Sequence, residues 1–285
     1  MVRASNAQLL NNREFEFSAK DFKYISDVIV DRTGIVLSEA KHDMVYSRLA
    51  RRLRQLRLTE FSDYIAMLKS GNEDEILEFT NAITTNLTSF FREKHHFEYL
   101  REKVLPELKK TKLDRRIRIW SAGCSSGEEP YSIAMTVRDI FPILDGWDIK
   151  ILATDLDTNM VQRASDGVYT EERVAGLDKK HSKKWVQCGS GDNEGQIRMS
   201  KELRDMITFK QLNLMDEWPI NGPFDFMFCR NVVIYFNKET QRDLFDRYAN
   251  LVADKGHLFI GHSESLHKVC TRFDLLGQTI YQKIE

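Results

Sequence analysis

The chain has little of what would commit it to a special environment. Its 285 residues hold four cysteines, Cys124, Cys188, Cys229 and Cys270, far apart and without a CxxC pair. That spacing argues against a zinc site or a disulfide framework and leaves reduced thiols in a cytoplasmic protein as the expectation. No run approaches the roughly 20 apolar residues of a membrane span. The opening stretch, MVRASNAQLLNNREFEF, lacks the apolar core of about 7–15 residues that a secretory signal carries. The net charge is only −1, so the chain as a whole has no polyanion-binding character. Internal repeats, low-complexity segments and a GxGxxG turn are all missing.

What is present divides into two patterns. Residues 1–85 read as an all-helical unit. Ser18 is placed to cap a helix carrying Phe22, Ile25, Val28 and Ile29, which Gly34 stops. Ser38 is placed to cap a second helix to about Leu56. Thr59 opens a third, closed by Gly71, and Asn72 caps a fourth that runs to about Ile83. Residues 86–285 alternate short apolar strands with helices. The strands are expected near 117–121, 149–154, 207–212, 224–229 and 257–261, with helices following Glu128, Thr158 and Lys238. Such alternation specifies an α/β fold with a mostly parallel sheet covered on both faces. The tail RFDLLGQTIYQKIE leaves no room for a crossover helix and reads as a closing antiparallel hairpin. That addition suits a class I methyltransferase better than a dinucleotide fold. Residues 168–204 are too many for one crossover and predict a small insert with helical and strand pieces around QIRMS.

The stretch SAGCSSGEEPYSIA lies where a parallel sheet presents its ligand, at the carboxyl end of the first strand. Gly123 and Gly127 are expected to let a ligand approach the backbone. Glu128 and Glu129 would repel a pyrophosphate at the helix start but would favour a ligand with a cationic tail, such as S-adenosylmethionine. In ATDLD, Asp155, with Asp157 as the alternative, is placed to accept hydrogen bonds from ribose hydroxyls. Each acid has a plainer use: the glutamates suit any helix N-terminus, and Asp155 any cap.

Four segments together, SAGCSSGEEPYSIA, ITTNLTSFFRE, FCRNVVIYF and GHSESL, resemble the bacterial chemotaxis receptor protein-glutamate O-methyltransferases, the CheR family, in the order that family has them. The resemblance covers nearly the whole chain. It implies a class I methyltransferase domain preceded by the helical unit and carrying the insert. It implies methyl transfer from S-adenosylmethionine to glutamate side chains of chemoreceptors, giving glutamyl methyl esters and S-adenosylhomocysteine, without a metal. Carried over, it places Asn86, Thr88 and Arg92 against the cofactor and the transfer centre. Glu129 would face the methionine part, Asp155 the ribose, and Asn213 and Leu214 the adenine. Arg230 and Asn231 would complete the pocket, with Tyr235 near the acceptor. Arg92 and Tyr235 are the expected catalytic pair. His262 and the pair His95–His96 are expected to be structural.

The segment KHDMVYSRLARRLRQLRL carries six Lys/Arg and one Asp. On a helical wheel Val45, Leu49, Leu53 and Leu56 form an apolar stripe beside Arg48, Arg51 and Arg52, with Arg54 and Arg57 farther round. A solvated face is one reading. Docking of an acidic receptor helix by Arg48, Arg51, Arg52 and Arg54 is the other. The insert, through GSGDNEGQIRM, is similar to those members of the family that grip a receptor C-terminal peptide along a strand edge. Nucleic acid and membrane insertion are not expected, and a monomer is.

Overall fold

The computed structural model describes residues 13–284. The chain forms two compact units that meet in sequence between Thr85 and Asn86.

The first unit holds α1 (Ala19–Thr33), α2 (His42–Leu56), α3 (Phe61–Lys69) and α4 (Glu73–Ile83). Ser18 Oγ accepts the Asp21 N–H and Asp21 returns a bond to the Ser18 N–H, a reciprocal cap. Gly34, at φ +72°, closes α1. Ser38 departs from expectation. It precedes a 3-10 turn, Glu39–Lys41, its side chain caps nothing, and the α-helix starts only at His42. α3 starts at Phe61 with no side-chain cap, two residues after Thr59. Asn72 caps α4 by accepting the Glu75 N–H. The core is built from stripes at helical spacing: Phe22, Ile25 and Ile29 of α1 and Val45, Leu49 and Leu53 of α2, the last three fully buried. Each such side chain contributes about 1.5–3 kcal/mol by leaving water.

The second unit begins with α5 (Lys94–Tyr99), a π-turn over Leu100–Val104, and α6 (Leu105–Thr111). Pro106, at the start of α6, has no N–H to continue the ladder, and the turn before it widens. Then come β1 (Arg116–Ala122), α7 (Glu128–Ile140), β2 (Asp148–Asp155), α8 (Thr158–Asp166), β3 (Val168–Thr170), α9 (Glu171–Val174), α10 (Lys179–Trp185), β4 (Val186–Cys188), β5 (Gln196–Met199), α11 (Lys201–Arg204), β6 (Ile207–Gln211), β7 (Phe224–Cys229), α12 (Lys238–Leu251), β8 (Val252–Ile260), β9 (Phe273–Gly277) and β10 (Ile280–Lys283).

Seven strands form one sheet in the order β6-β2-β1-β7-β8-β10-β9. The first five are parallel; β10 runs antiparallel to both β8 and β9. Central β7 buries all six of its residues, as a strand covered on both faces must. The chain leaves β1 towards β2 and β6, then returns to build β7 and β8 on the other side. The order therefore reverses between β1 and β7, and the crevice outside their carboxyl ends is the place for a ligand. The expected insert is a separate antiparallel sheet, β3-β5-β4, with β5 in its centre. Among the described residues no helix is long and apolar enough to cross a membrane.

Candidate functional site

Loops after β1, β2, β6 and β7, with residues 86–93, meet at this end of the sheet through hydrogen bonds. At the end of β1, Ser121 Oγ donates to Glu129 Oε1 at 2.7 Å. Arg230, just past β7 and 6% exposed, holds Glu129 Oε2 at 3.3 Å and Glu93 Oε2 at 3.5 Å. It also donates to the Arg92 carbonyl. Burial raises the Glu129 pKa, against the lowering charge of Arg230 and the bond from Ser121. After β2, Asp155 Oδ2 accepts the Ser125 N–H at 2.7 Å and Oδ1 the Asp157 N–H at 3.0 Å. Burial pushes the Asp155 pKa up to about 6, with those N–H groups opposing it. Asp157 caps α8 and accepts from Asn86 Nδ2 at 2.7 Å. Ser125 Oγ donates to the Asn86 carbonyl at 3.1 Å.

After β6, the Leu212 N–H donates to the Asp155 carbonyl at 2.9 Å, which brings the next two residues to the same edge. Asn213 folds its own loop by accepting the Met215 N–H. Arg247 donates to the Leu214 carbonyl at 2.7 Å and lies over Trp218 at 3.7 Å. Half-buried Arg92 donates to the Leu87 carbonyl at 2.9 Å, bracing the loop that carries Thr88. Tyr235 is half-buried in a 3-10 turn, Val233–Tyr235.

The glycines are needed for the protein's own packing. Gly123 has φ +84°, and a Cβ there would meet Val232 Cγ2 at 2.3 Å; Gly127 has φ +98°, and a Cβ would meet Ala164 Cβ and Tyr169 Oη, both at 2.8 Å. Their missing side chains make room for the protein's own packing. Glu128 likewise differs from its neighbour. It is fully buried and engaged by Ser126 Oγ and the Arg173 guanidinium of the insert, so only Glu129 faces the crevice residues.

The histidines take structural positions. His96 is fully buried, with Nε2 at 3.1 Å from the Gln278 carbonyl and its pKa lowered to about 3 by burial and then by Arg230. Burial opposes ionisation of Glu93, but His262, donating at 2.8 Å, and Arg230 outweigh it and hold that carboxyl low. Glu93, His95 and His96 bring ligand-type atoms within 4.8 Å of one another, but Arg230 already supplies a positive charge there. Glu264 was not singled out in the sequence. It accepts four backbone N–H bonds around the crevice; its place in the GHSESL segment was the available sign.

In the helical unit, two arginines of α2 are committed inward. Arg48 donates to the carbonyls of Ile83, at 2.5 Å, and Thr84, at 2.6 Å, at the end of α4. Arg52 is paired through two nitrogens with Glu75, a carboxylate 3% exposed. Arg54 pairs with Glu14 at the surface, and Arg51 is exposed. Of the four arginines expected to dock a partner, Arg48 and Arg52 are therefore turned towards α4, while Arg51 and Arg54 stay exposed.

Comparison with known proteins decides the family. Residues 86–282 match the family described as "CheR methyltransferase, SAM binding domain", and residues 20–84 match "CheR methyltransferase, all-alpha domain". The chain belongs to the CheR methyltransferase family. It is 43% identical over 263 residues to the chemotaxis protein methyltransferase of Escherichia coli, covering 91% of this chain and 89% of that one. It is 41% identical over 282 residues to chemotaxis protein methyltransferase 2 of Pseudomonas aeruginosa, covering 99% of each. It is 37% identical over 261 residues to the chemotaxis protein methyltransferase of Borreliella burgdorferi, covering 90% of this chain and 91% of that one. The chain is thus an S-adenosylmethionine-dependent methyltransferase, and two carboxylates of a kind that fits that cofactor, Glu129 and Asp155, lie in the crevice.

Proposed function

We propose that this methyltransferase esterifies glutamate side chains of chemoreceptors in the cytoplasm. The observation that supports it best is the hydrogen-bonded meeting of residues 86–93, 121–129, 155–157 and Arg230, with residues 213–214 and 231–235 following strands that end at the same edge of the sheet, all in a chain of this family. In this reading Glu129 holds the methionine end, Asp155 the ribose, and Asn213 and Leu214 border the adenine. Asn86, Thr88, Arg230 and Asn231 close the pocket. When bound, S-adenosylmethionine supplies an already activated methyl group.

The chain's own residues then have a limited task. A glutamate has a reference pKa near 4.3, so at neutral pH it arrives ionised and needs no general base. The protein must align the acceptor oxygen with the methyl carbon at about 3–3.5 Å and strip water from the carboxylate. Arg92 orients the acceptor carboxylate from one side. A tight two-nitrogen pair would quench its nucleophilicity, and the bond of Arg92 to the Leu87 carbonyl holds part of the guanidinium back. Tyr235 supplies a hydrogen bond to the acceptor.

Docking rests on Arg51, with Arg54 beside its exposed partner Glu14. Arg48 and Arg52 contribute charge at longer range. The insert offers a second contact. A groove of about 530 Å³ beside edge strand β4 is lined by Val174, Leu177, Val186 and Ile197, with Lys179, Lys183 and one acid, Glu171. An apolar floor with lysines suits an extended acidic-apolar peptide such as a receptor C-terminus, whose capture would raise the local concentration of methylation sites. The protein acts as a monomer in this reading, which light scattering checks.

The decisive test mixes the protein, methyl-labelled S-adenosylmethionine and receptor-rich membranes. Label that alkali releases as methanol marks a carboxyl ester. Alkali-stable label would mean N- or C-methylation and overturn the reading.

A further inference from the structure

We infer that Glu264 is a positioning residue of the methyl-transfer site, holding the segment that carries Arg230, Asn231 and Tyr235. The inference rests on those three lining the pocket, as proposed above.

The geometry is that of a clasp. The Glu264 carboxylate is 5% exposed. Oε2 accepts the N–H of Asn231 at 2.9 Å and of Gly261 at 2.5 Å. Oε1 accepts the N–H of Val232 at 2.9 Å and of Ile234 at 3.3 Å. One side chain from the loop after β8 thus ties that loop to the loop after β7. β7 and β8 are adjacent and parallel, so both loops leave the sheet at its ligand-binding end.

Gln241 holds the carbonyls of Val233 and Phe236 in the loop after β7, and Glu264 takes the N–H groups on its other side. Asn231 sits at φ +59°, a left-handed conformation that asparagine tolerates better than most residues, and the Glu264 bond to its N–H fixes it there. The part-buried N–H groups of residues 231, 232 and 234 have no backbone acceptor and take the Glu264 carboxylate instead, so without it they lose their acceptor. An ionised carboxylate is the one side chain that accepts on both oxygens with no N–H of its own to turn inward. Gly261 makes the approach possible: a Cβ there would meet Asn231 Nδ2 at 2.5 Å and Glu264 Oε2 at 2.8 Å. Pocket and acceptor-side residues therefore depend on a group that touches neither cofactor nor substrate.

The test uses the full-length protein carrying Glu264→Gln, which turns an NH₂ towards two of the four N–H donors, and Glu264→Asp, which keeps the charge but shortens the reach. Asn231→Ala is measured in parallel. Expected for Glu264→Gln are faster amide hydrogen exchange at residues 231–235 with β1 and β2 unchanged, S-adenosylhomocysteine binding weakened about tenfold, and kcat reduced at least as much with KM for receptor held within twofold. Glu264→Asp should recover part of both losses. If Glu264→Gln binds the product within twofold of the parent while Asn231→Ala loses affinity, the clasp is not a positioning device and the inference fails alone. If Asn231→Ala also binds normally, the pocket assignment falls and the inference with it. A loss in Glu264→Gln accompanied by uniformly faster exchange across the second unit would mark a general folding role and likewise overturn it.

Discussion

The arginine helix α2 and the loops after β1 and β2 both carry charge of one sign in a short stretch, and they use it differently. In α2 the charge is partly spent at home. Arg48 closes the end of α4 and Arg52 neutralises Glu75, leaving Arg51 towards solvent. Around the crevice the acids are divided as well: Glu128 goes to Arg173 of the insert, while Glu129 and Asp155 stay among residues of the site. A run of like charge therefore gives the number of charges available and not how many remain for a partner. Helix ends, buried acids and neighbouring elements claim theirs first.

The contrast can be broken at several points. The largest effect is expected from Arg92→Ala, whose loss of alignment should lower methyl transfer about 100-fold while leaving thermal stability within about 1 kcal/mol, because Arg92 is only half-buried. Single-turnover assays with saturating cofactor measure it; an unchanged rate would remove Arg92 from the transfer centre. Next comes Glu75→Ala in the helical unit. It leaves Arg52 without its buried partner and should destabilise that unit by about 3 kcal/mol, read by denaturant unfolding, with S-adenosylhomocysteine affinity unaltered. If cofactor binding fell in step with stability, the division between structural and functional charge would not hold.

A smaller effect follows from Asp155. Burial pushes its carboxyl up to about 6 in the free protein, and in the proposed site it is the ionised form that would accept the ribose hydroxyls. Protons thus compete with the cofactor, and affinity falls as pH drops. Between pH 7.5 and 5.5 the loss attributable to this group is about fourfold by linkage. Calorimetry on the parent and on Asp155→Asn separates it: the variant should bind weakly throughout and lose that part of the pH dependence. The smallest effect is predicted for Arg51→Glu, which should raise KM for receptor about threefold at low ionic strength and less at high, since exposed charges are screened within about 8 Å at 0.15 M. The same change at Arg48 should instead destabilise the end of α4.

Much of this was open to reading along the chain. Helices begin at Glu128, Thr158 and Lys238 as patterning requires, and the strand at Phe224–Cys229 is a continuous apolar run. Asn72 and Ser18 act through neighbours three residues away, so their roles are local. Ser38 misleads because a competing 3-10 turn takes its place, and nothing within a few residues announces it. The purpose of Gly123 was out of reach, since Val232 lies more than a hundred residues on. The use of Arg48, of Glu128 and of Glu264 was hidden for the same reason.

By itself the sequence determined the periodicities, the helix starts, the parallel sheet with its closing hairpin, and the motifs that mark a methyl-transfer enzyme, because these depend on residues adjacent along the chain or on one face of one element. Only the tertiary structure decided which charged groups are left for a ligand. Arg48, Arg52, Glu128 and Glu264 are bound to partners tens of residues away along the chain, which no local pattern reveals.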